Sequence, residues 1–157
     1  MRRFICFLPL IVLAGCSKNE AVPFMGQWDG GFTVEKVTLG PDTEADRKHH
    51  NLNGYLNVVL NKNKYLMKLT GEQQTVDIAG KWSIRGQQII LDPTDVKVTS
   101  DGGKEGINPN LKALPEEELH QGYMQKVTLK LSTDGSTLSG LATTISYLKG
   151  THSFRKE

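Results

Sequence analysis

The sequence predicts an all-β protein, a small antiparallel up-and-down β-barrel of about eight strands. Three observations predict it. Apolar residues recur at every second position from Gly26 onward, which is the strand period. Short polar clusters rich in Gly, Asn and Asp separate the alternating runs at hairpin spacing. Most runs follow one another so closely that consecutive strands must be neighbours. One long flap bearing a short helix interrupts the series, and an N-terminal signal helix precedes it.

Trp28, Gly30, Phe32 and Val34 share one face of a first strand, opposed by Asp29, Gly31, Thr33 and Glu35. The Gly30-Gly31 pair lets this strand bend or bulge, as a strongly curved sheet requires. A polar loop over residues 40–51 follows. Leu52, Gly54, Leu56, Val58 and Leu60 then alternate, Asn61-Lys62-Asn63 forms a tight turn, and Tyr65, Met67 and Leu69 return as the second arm of a hairpin. The next pair runs through Val76, Ile78, Gly80, Trp82 and Ile84, turns at Arg85-Gly86-Gln87, and returns from Gln88 to Leu91. Tyr123, Val127, Leu129 and Leu131 alternate, Thr133-Asp134-Gly135-Ser136 turns, and Leu138, Gly140 and Ala142 answer. Residues 146–155 supply a last strand.

The flap spans residues 92–122 and contains Gly102-Gly103, Pro109 and Pro115. A loop that long without structure of its own is unusual in a compact domain. Two pieces of it are expected to be ordered, residues 95–99 as a short strand and 115–121 as a short helix. Pro115 suits the first helical position, Glu116, Glu117 and Glu118 suit the positive end of the helix dipole, and Gly122 suits its exit.

The first fifteen residues carry a basic start at Arg2 and Arg3, an apolar run from Phe4 to Val12, and the small-residue stretch Leu13-Ala14-Gly15. That is the order of an export signal. The apolar run is well short of the roughly twenty residues that cross hydrocarbon as a helix. Leu13-Ala14-Gly15-Cys16 resembles the bacterial lipobox. The resemblance implies diacylglyceryl transfer to the Cys16 thiol, cleavage before Cys16 and retention at a membrane by lipid. Each buried methylene contributes about 0.8 kcal/mol, so two or three chains on one cysteine anchor stably. The chain accordingly divides into a signal peptide (1–15), a lipidated N-terminus and tether (16–23) and a barrel domain (24–157). At 3.3–3.6 Å per residue the tether reaches at most about 25 Å. The implied location is the cell envelope. Ser17 lacks the aspartate associated with inner-membrane retention, which directs the protein to the periplasmic side of the outer membrane if the organism has two membranes.

Arg2 and Arg3 account for the whole net charge of +2, so the processed chain of about 140 residues is neutral and large enough for one domain. A neutral domain without a basic face does not suit nucleic acid, whose binders must displace counterions. Cys6 leaves with the signal and Cys16 is acylated, which removes disulfides, thiol catalysis and cysteine-ligated zinc. No Gly-x-Ser-x-Gly elbow is present, so no hydrolase is expected. His49-His50, with Asp42, Glu44 and Asp46 nearby, invites a metal reading, but adjacent histidines on an extended loop point different ways. They read as part of a solvated loop. His120 and His152 have no patterned partner, and neither a metal nor a cofactor is expected.

Gly26-Gln27-Trp28 at the start of the first strand resembles the opening of lipocalins and the wider calycin architecture. Gly80-Lys81-Trp82, followed by a turn and Gln88-Ile89-Ile90-Leu91, is similar to bacterial lipocalin-like lipoproteins. The resemblance covers residues 24–155 and implies that Trp28 closes one barrel end beneath a C-terminal cation, with Arg155 in position for that contact. Trp28, Phe32, Tyr65 and Trp82 are the candidate lining of an apolar pocket. Tyr55, Tyr123, Tyr147 and Phe154 are further candidates, against the alternative that these rings fill the interior. Two functions follow as expectations: an anchored module that holds a small apolar molecule, or an accessory lipoprotein that docks an envelope protein through its flap or a sheet edge.

Overall fold

The computed structural model describes residues 18–38, 42–59, 63–72, 74–100, 116–142 and 148–157. Eight strands form one closed antiparallel barrel in which each pairs with its neighbours in sequence and the last returns to the first. They are β1 (Gly26–Val37), β2 (Leu52–Val59), β3 (Lys64–Thr70), β4 (Gln74–Arg85), β5 (Gln88–Ser100), β6 (Val127–Leu131), β7 (Thr137–Ala142) and β8 (Leu148–Lys156). The signal segment, Cys16, Asn61-Lys62, Gly102-Gly103, Pro109, Pro115 and Tyr147 lie outside the described residues.

Period-two burial explains the closure. In β3, Tyr65, Met67 and Leu69 are buried while Lys64, Leu66, Lys68 and Thr70 are exposed. The inward set carries the core, and the outer face holds charges such as the Lys68–Asp77 pair at 3.7 Å. Apolar inside and charged outside is the inverse of a strand barrel that spans a membrane. Among the described residues no helix is long and apolar enough to cross one either.

Gly30 and Gly31 bend β1 between its two partners. A Cβ on Gly30 would stand 2.0 Å from the Ser153 carbonyl oxygen, and one on Gly31 would stand 1.9 Å from that of Leu52. Any other residue would force the neighbouring backbone away, so the pair serves curvature. The register shift itself falls between Val34 and Lys36, where β1 pairs with β8.

Antiparallel pairing sorts the connections to two ends. The β2–β3, β4–β5 and β6–β7 turns share one end with the C-terminus and the segment entering β1. Residues 38–51, 71–73, 101–126 and 143–147 connect strands at the other, the loop end. Residues 18–23 are not the free tether that their polarity suggests. Lys18–Ala21 forms a helical turn (α1) and Val22–Phe24 a 3-10 turn. Ala21 is 5% exposed and Phe24 2%, so residues 21–24 pack onto the barrel. Ala21 and Phe24 are three apart and therefore share one helical face, while Pro23 lacks only an N–H that the first turn leaves unpaired.

Three further expectations change. The polar loop at 40–51 contains a helix, α2 (Glu44–His49), started by a capping box between Thr43 and Asp46. Six residues are too few to display apolar periodicity. The short strand at 95–99 is the continuation of β5, which passes straight through Asp92-Pro93. Pro93 stands opposite Gly80 at a register shift in the β4–β5 ladder, where a missing N–H breaks no regular bond. The flap thus begins after Ser100. Its helix, α3 (Glu116–Tyr123), lies against β5, and Tyr123 ends this helix instead of opening a strand.

Candidate functional site

The barrel interior holds every described aromatic that points inward, and the end opposite the loop end, capped by the segment entering β1, is the better satisfied. Trp28 donates its indole N–H to the Phe24 carbonyl at 3.0 Å, and Trp82 donates to the Val59 carbonyl at 3.0 Å. Each large ring is therefore both buried and hydrogen-bonded, which removes the main cost of placing an indole in a core. The cation over Trp28 is Lys156, with Nζ 5.2 Å from the ring centroid, and not Arg155. Strand parity decides this. Lys156 pairs with Trp28 and shares its face, whereas Arg155 pairs with Asp29 and faces outward. Lys156 Nζ also donates to the Pro23 carbonyl at 3.1 Å, tying the C-terminus to the entering segment.

Inward glycines are covered by neighbouring side chains. A Cβ on Gly80 would meet the Tyr65 ring at 2.7 Å, and one on Gly150 would meet the Phe32 ring at 2.5 Å. Trp28, Leu56, Leu69, Val76, Ile89, Leu129 and Leu138, drawn from seven successive strands, have no accessible surface. Phe32 and Tyr65 are buried as well, and burial, followed by the nearby Asp92, pushes the Tyr65 phenol above its usual pKa. Trp28, Phe32, Tyr65 and Trp82 thus all sit in one continuous core. Phe154 joins them, Tyr55 points out, and Tyr123 accepts a hydrogen bond from Gln74 Nε2 at 3.3 Å from its position on α3.

His152 is an inward residue for which the sequence offers no patterned partner. It is 4% exposed and is the one buried residue of charged or polar type among those described. Its ring stacks on Phe154 at 5.8 Å and meets Phe32 at 5.4 Å, and its Nδ1 has no hydrogen-bond partner. Burial lowers its pKa to about 4 against a smaller opposing effect of the Gly31 backbone, so the ring is neutral at pH 7. Leu148, Gly150, His152 and Phe154 keep one parity, and that alternation is the signal from which its inward position follows. Lys156 is legible in the same way.

His49 and His50 stand at the end of α2 with ring centroids 5.5 Å apart. His49 Nδ1 contacts the Glu72 carboxylate and so links α2 to the β3–β4 connection. Burial, then His49, lowers the His50 pKa while Asp46 opposes. No group of three metal-ligating side chains stands together among the described residues. Asp134 accepts from the Ser136 backbone N–H at 3.0 Å and from the hydroxyls of Ser132 and Ser136, which hold its carboxyl down at about 2. These bonds make residues 132–136 an Asx-type turn.

No family model matches the chain, and no curated protein matches it. Among solved structures, the crystal structure of Rv2717c from M. tuberculosis is similar with a TM-score of 0.40 and 17% identity, over 86% of this chain and 94% of that one.

Proposed function

We propose that the protein is an accessory lipoprotein of the bacterial cell envelope, anchored by lipid on Cys16, whose barrel is a rigid module for docking another envelope protein. One observation carries the choice of docking over transport of a ligand. Side chains from seven successive strands meet with no accessible surface, so the interior is already occupied by the chain itself. The docking face is the side of the barrel formed by α3 and the second half of β5. β6 pairs with β5 only over Gln88–Leu91, so beyond Leu91 the described ladder partner of β5 is β4 alone. Exposed Lys97 and Thr99 and the adjoining α3 present this side to a partner.

Photo-crosslinkers at Lys97, Thr99 and Glu117 in intact cells should capture one recurrent envelope protein, and crosslinkers at the outward β3 positions Leu66 and Lys68 should not. Equal capture from both faces would overturn the assignment of the docking side. Cys16→Ser should move the protein from the detergent-rich to the aqueous phase in partitioning experiments. Retention in detergent would show a second membrane attachment.

A second function, an anchored module for a small apolar molecule, is supported by His152 alone. Its unpartnered Nδ1 offers an acceptor inside the barrel to a ligand bearing one donor. Native mass spectrometry of gently extracted protein distinguishes the two, since docking predicts the bare acylated mass and carriage predicts a stoichiometric adduct.

A further inference from the structure

The folding of residues 18–24 onto the barrel has a geometric result that goes beyond anchoring. α1 and the 3-10 turn are fixed by the buried Ala21 and Phe24, by the Trp28 indole on the Phe24 carbonyl, and by Lys156 on the Pro23 carbonyl. Lys18 is two residues beyond Cys16, a reach of at most about 7 Å. A lipid-bearing residue so close to a tied-down segment cannot let the domain tumble freely. We infer that the protein stands on the bilayer by its capped end, with the headgroup region against the entering segment and the β4–β5 and β6–β7 turns, and its loop end directed away. This rests on lipidation of Cys16.

The surface at that end suits a headgroup layer. Val22 is 60% exposed beside the buried Ala21, an apolar side chain turned outward where the chain enters the barrel, and Val59 is 40% exposed at the end of β2. Lys64 and Lys81 face each other across the β3–β4 ladder, and Arg85 flanks the next turn. Among the described residues none of these three forms a salt bridge, so anionic headgroups would relieve their mutual repulsion. The acids of this end are Glu20, Asp29, Asp134 and Glu157, together with Asp92, which stands opposite Lys81 in the β4–β5 ladder and is paired with Lys126. Asp134 is occupied by Ser132 and Ser136, and Glu157, beside Asp29, has its carboxyl raised by the hydrogen bond and charge of that neighbour. The balance of charge is near even, so the lipid supplies the attachment and the protein surface supplies the orientation.

With strands tilted 35–45° and a rise of about 3.3 Å per residue, a twelve-residue strand such as β4 separates the two ends by about 30 Å. That distance is resolvable. The test uses the acylated full chain, extracted from membranes and reconstituted in vesicles of phosphatidylethanolamine and phosphatidylglycerol that carry a quencher on the headgroup. Fluorophores are placed on single added cysteines, Gln87→Cys and Thr133→Cys at the capped end and Lys48→Cys and Glu117→Cys at the loop end. The capped-end labels should lose most of their emission and the loop-end labels almost none. Equal quenching at both ends, or stronger quenching at Lys48 and Glu117, would overturn the orientation while leaving the anchor intact. Failure of the protein to float with vesicles would instead remove the anchor and the orientation together.

Discussion

The capped end and the middle of the barrel solve the same burial problem with different success. At the capped end each indole N–H reaches a backbone carbonyl, and Lys156 closes the stack from above. At mid-barrel, where His152 stands opposite Phe32 and Gly140, Phe32 and Phe154 enclose an imidazole whose Nδ1 has no partner. A buried polar atom without a hydrogen bond costs about 1–3 kcal/mol. The capped end is therefore the part of the barrel that holds it shut, and His152 marks where stability has been given up.

Trp28→Ala should have the largest effect, because it deletes the ring on which Phe24, Leu56 and Lys156 converge. A loss of about 3–5 kcal/mol is expected, read as a lower urea midpoint. A loss below about 1 kcal/mol would mean that the capped end does not hold the barrel closed.

Acid should act through the middle of the barrel. Folded His152 titrates near pH 4 and an unfolded histidine near 6.5, so between those values the unfolded state binds a proton that the folded state refuses. Stability should fall as pH drops from about 6.5 to 4, by roughly 3 kcal/mol in all, with no further loss from this group at lower pH. His152→Leu should flatten that part of the profile and leave neutral stability equal or higher. An unchanged acid profile in the variant would place the titrating group elsewhere.

Lys156→Gln tests the contact that strand parity assigns. Its cation–π contribution at an exposed site is about 0.5–1 kcal/mol, so a small lowering of the melting temperature is expected. Arg155→Gln should have no comparable effect. The reverse ranking would return the role to Arg155.

Most of the barrel is legible in the sequence because its physics is period two, and period two survives even at the glycines. Leu148, Gly150, His152 and Phe154 show the same parity as Tyr65, Met67 and Leu69, although a histidine among them obscures the pattern. What escaped were elements whose cause is not periodicity. α2 depends on a capping box read from Thr43 and Asp46, and the passage of β5 through Pro93 depends on a bulge set by the partner strand. Ala21 and Phe24 were hidden for another reason, since two apolar residues in a polar stretch resemble a linker until something covers them. The chemistry of the site is less legible than its position. Parity places Trp28 and Trp82 inside, but whether rings fill or line a barrel depends on how closely the strands approach, which composition does not record.

The pairing of β1 with β8 joins residues 28 and 156 and runs through nine residue pairs. Sealing the barrel therefore requires its first and last strands to meet. Whenever the chain emerges N-terminus first, β1 is exposed early and β8 late. No closed barrel can form until β8 has emerged, and contacts of such long sequence separation form slowly. The topology itself makes closure a late step of folding, reached only after the intervening strands are available as a template.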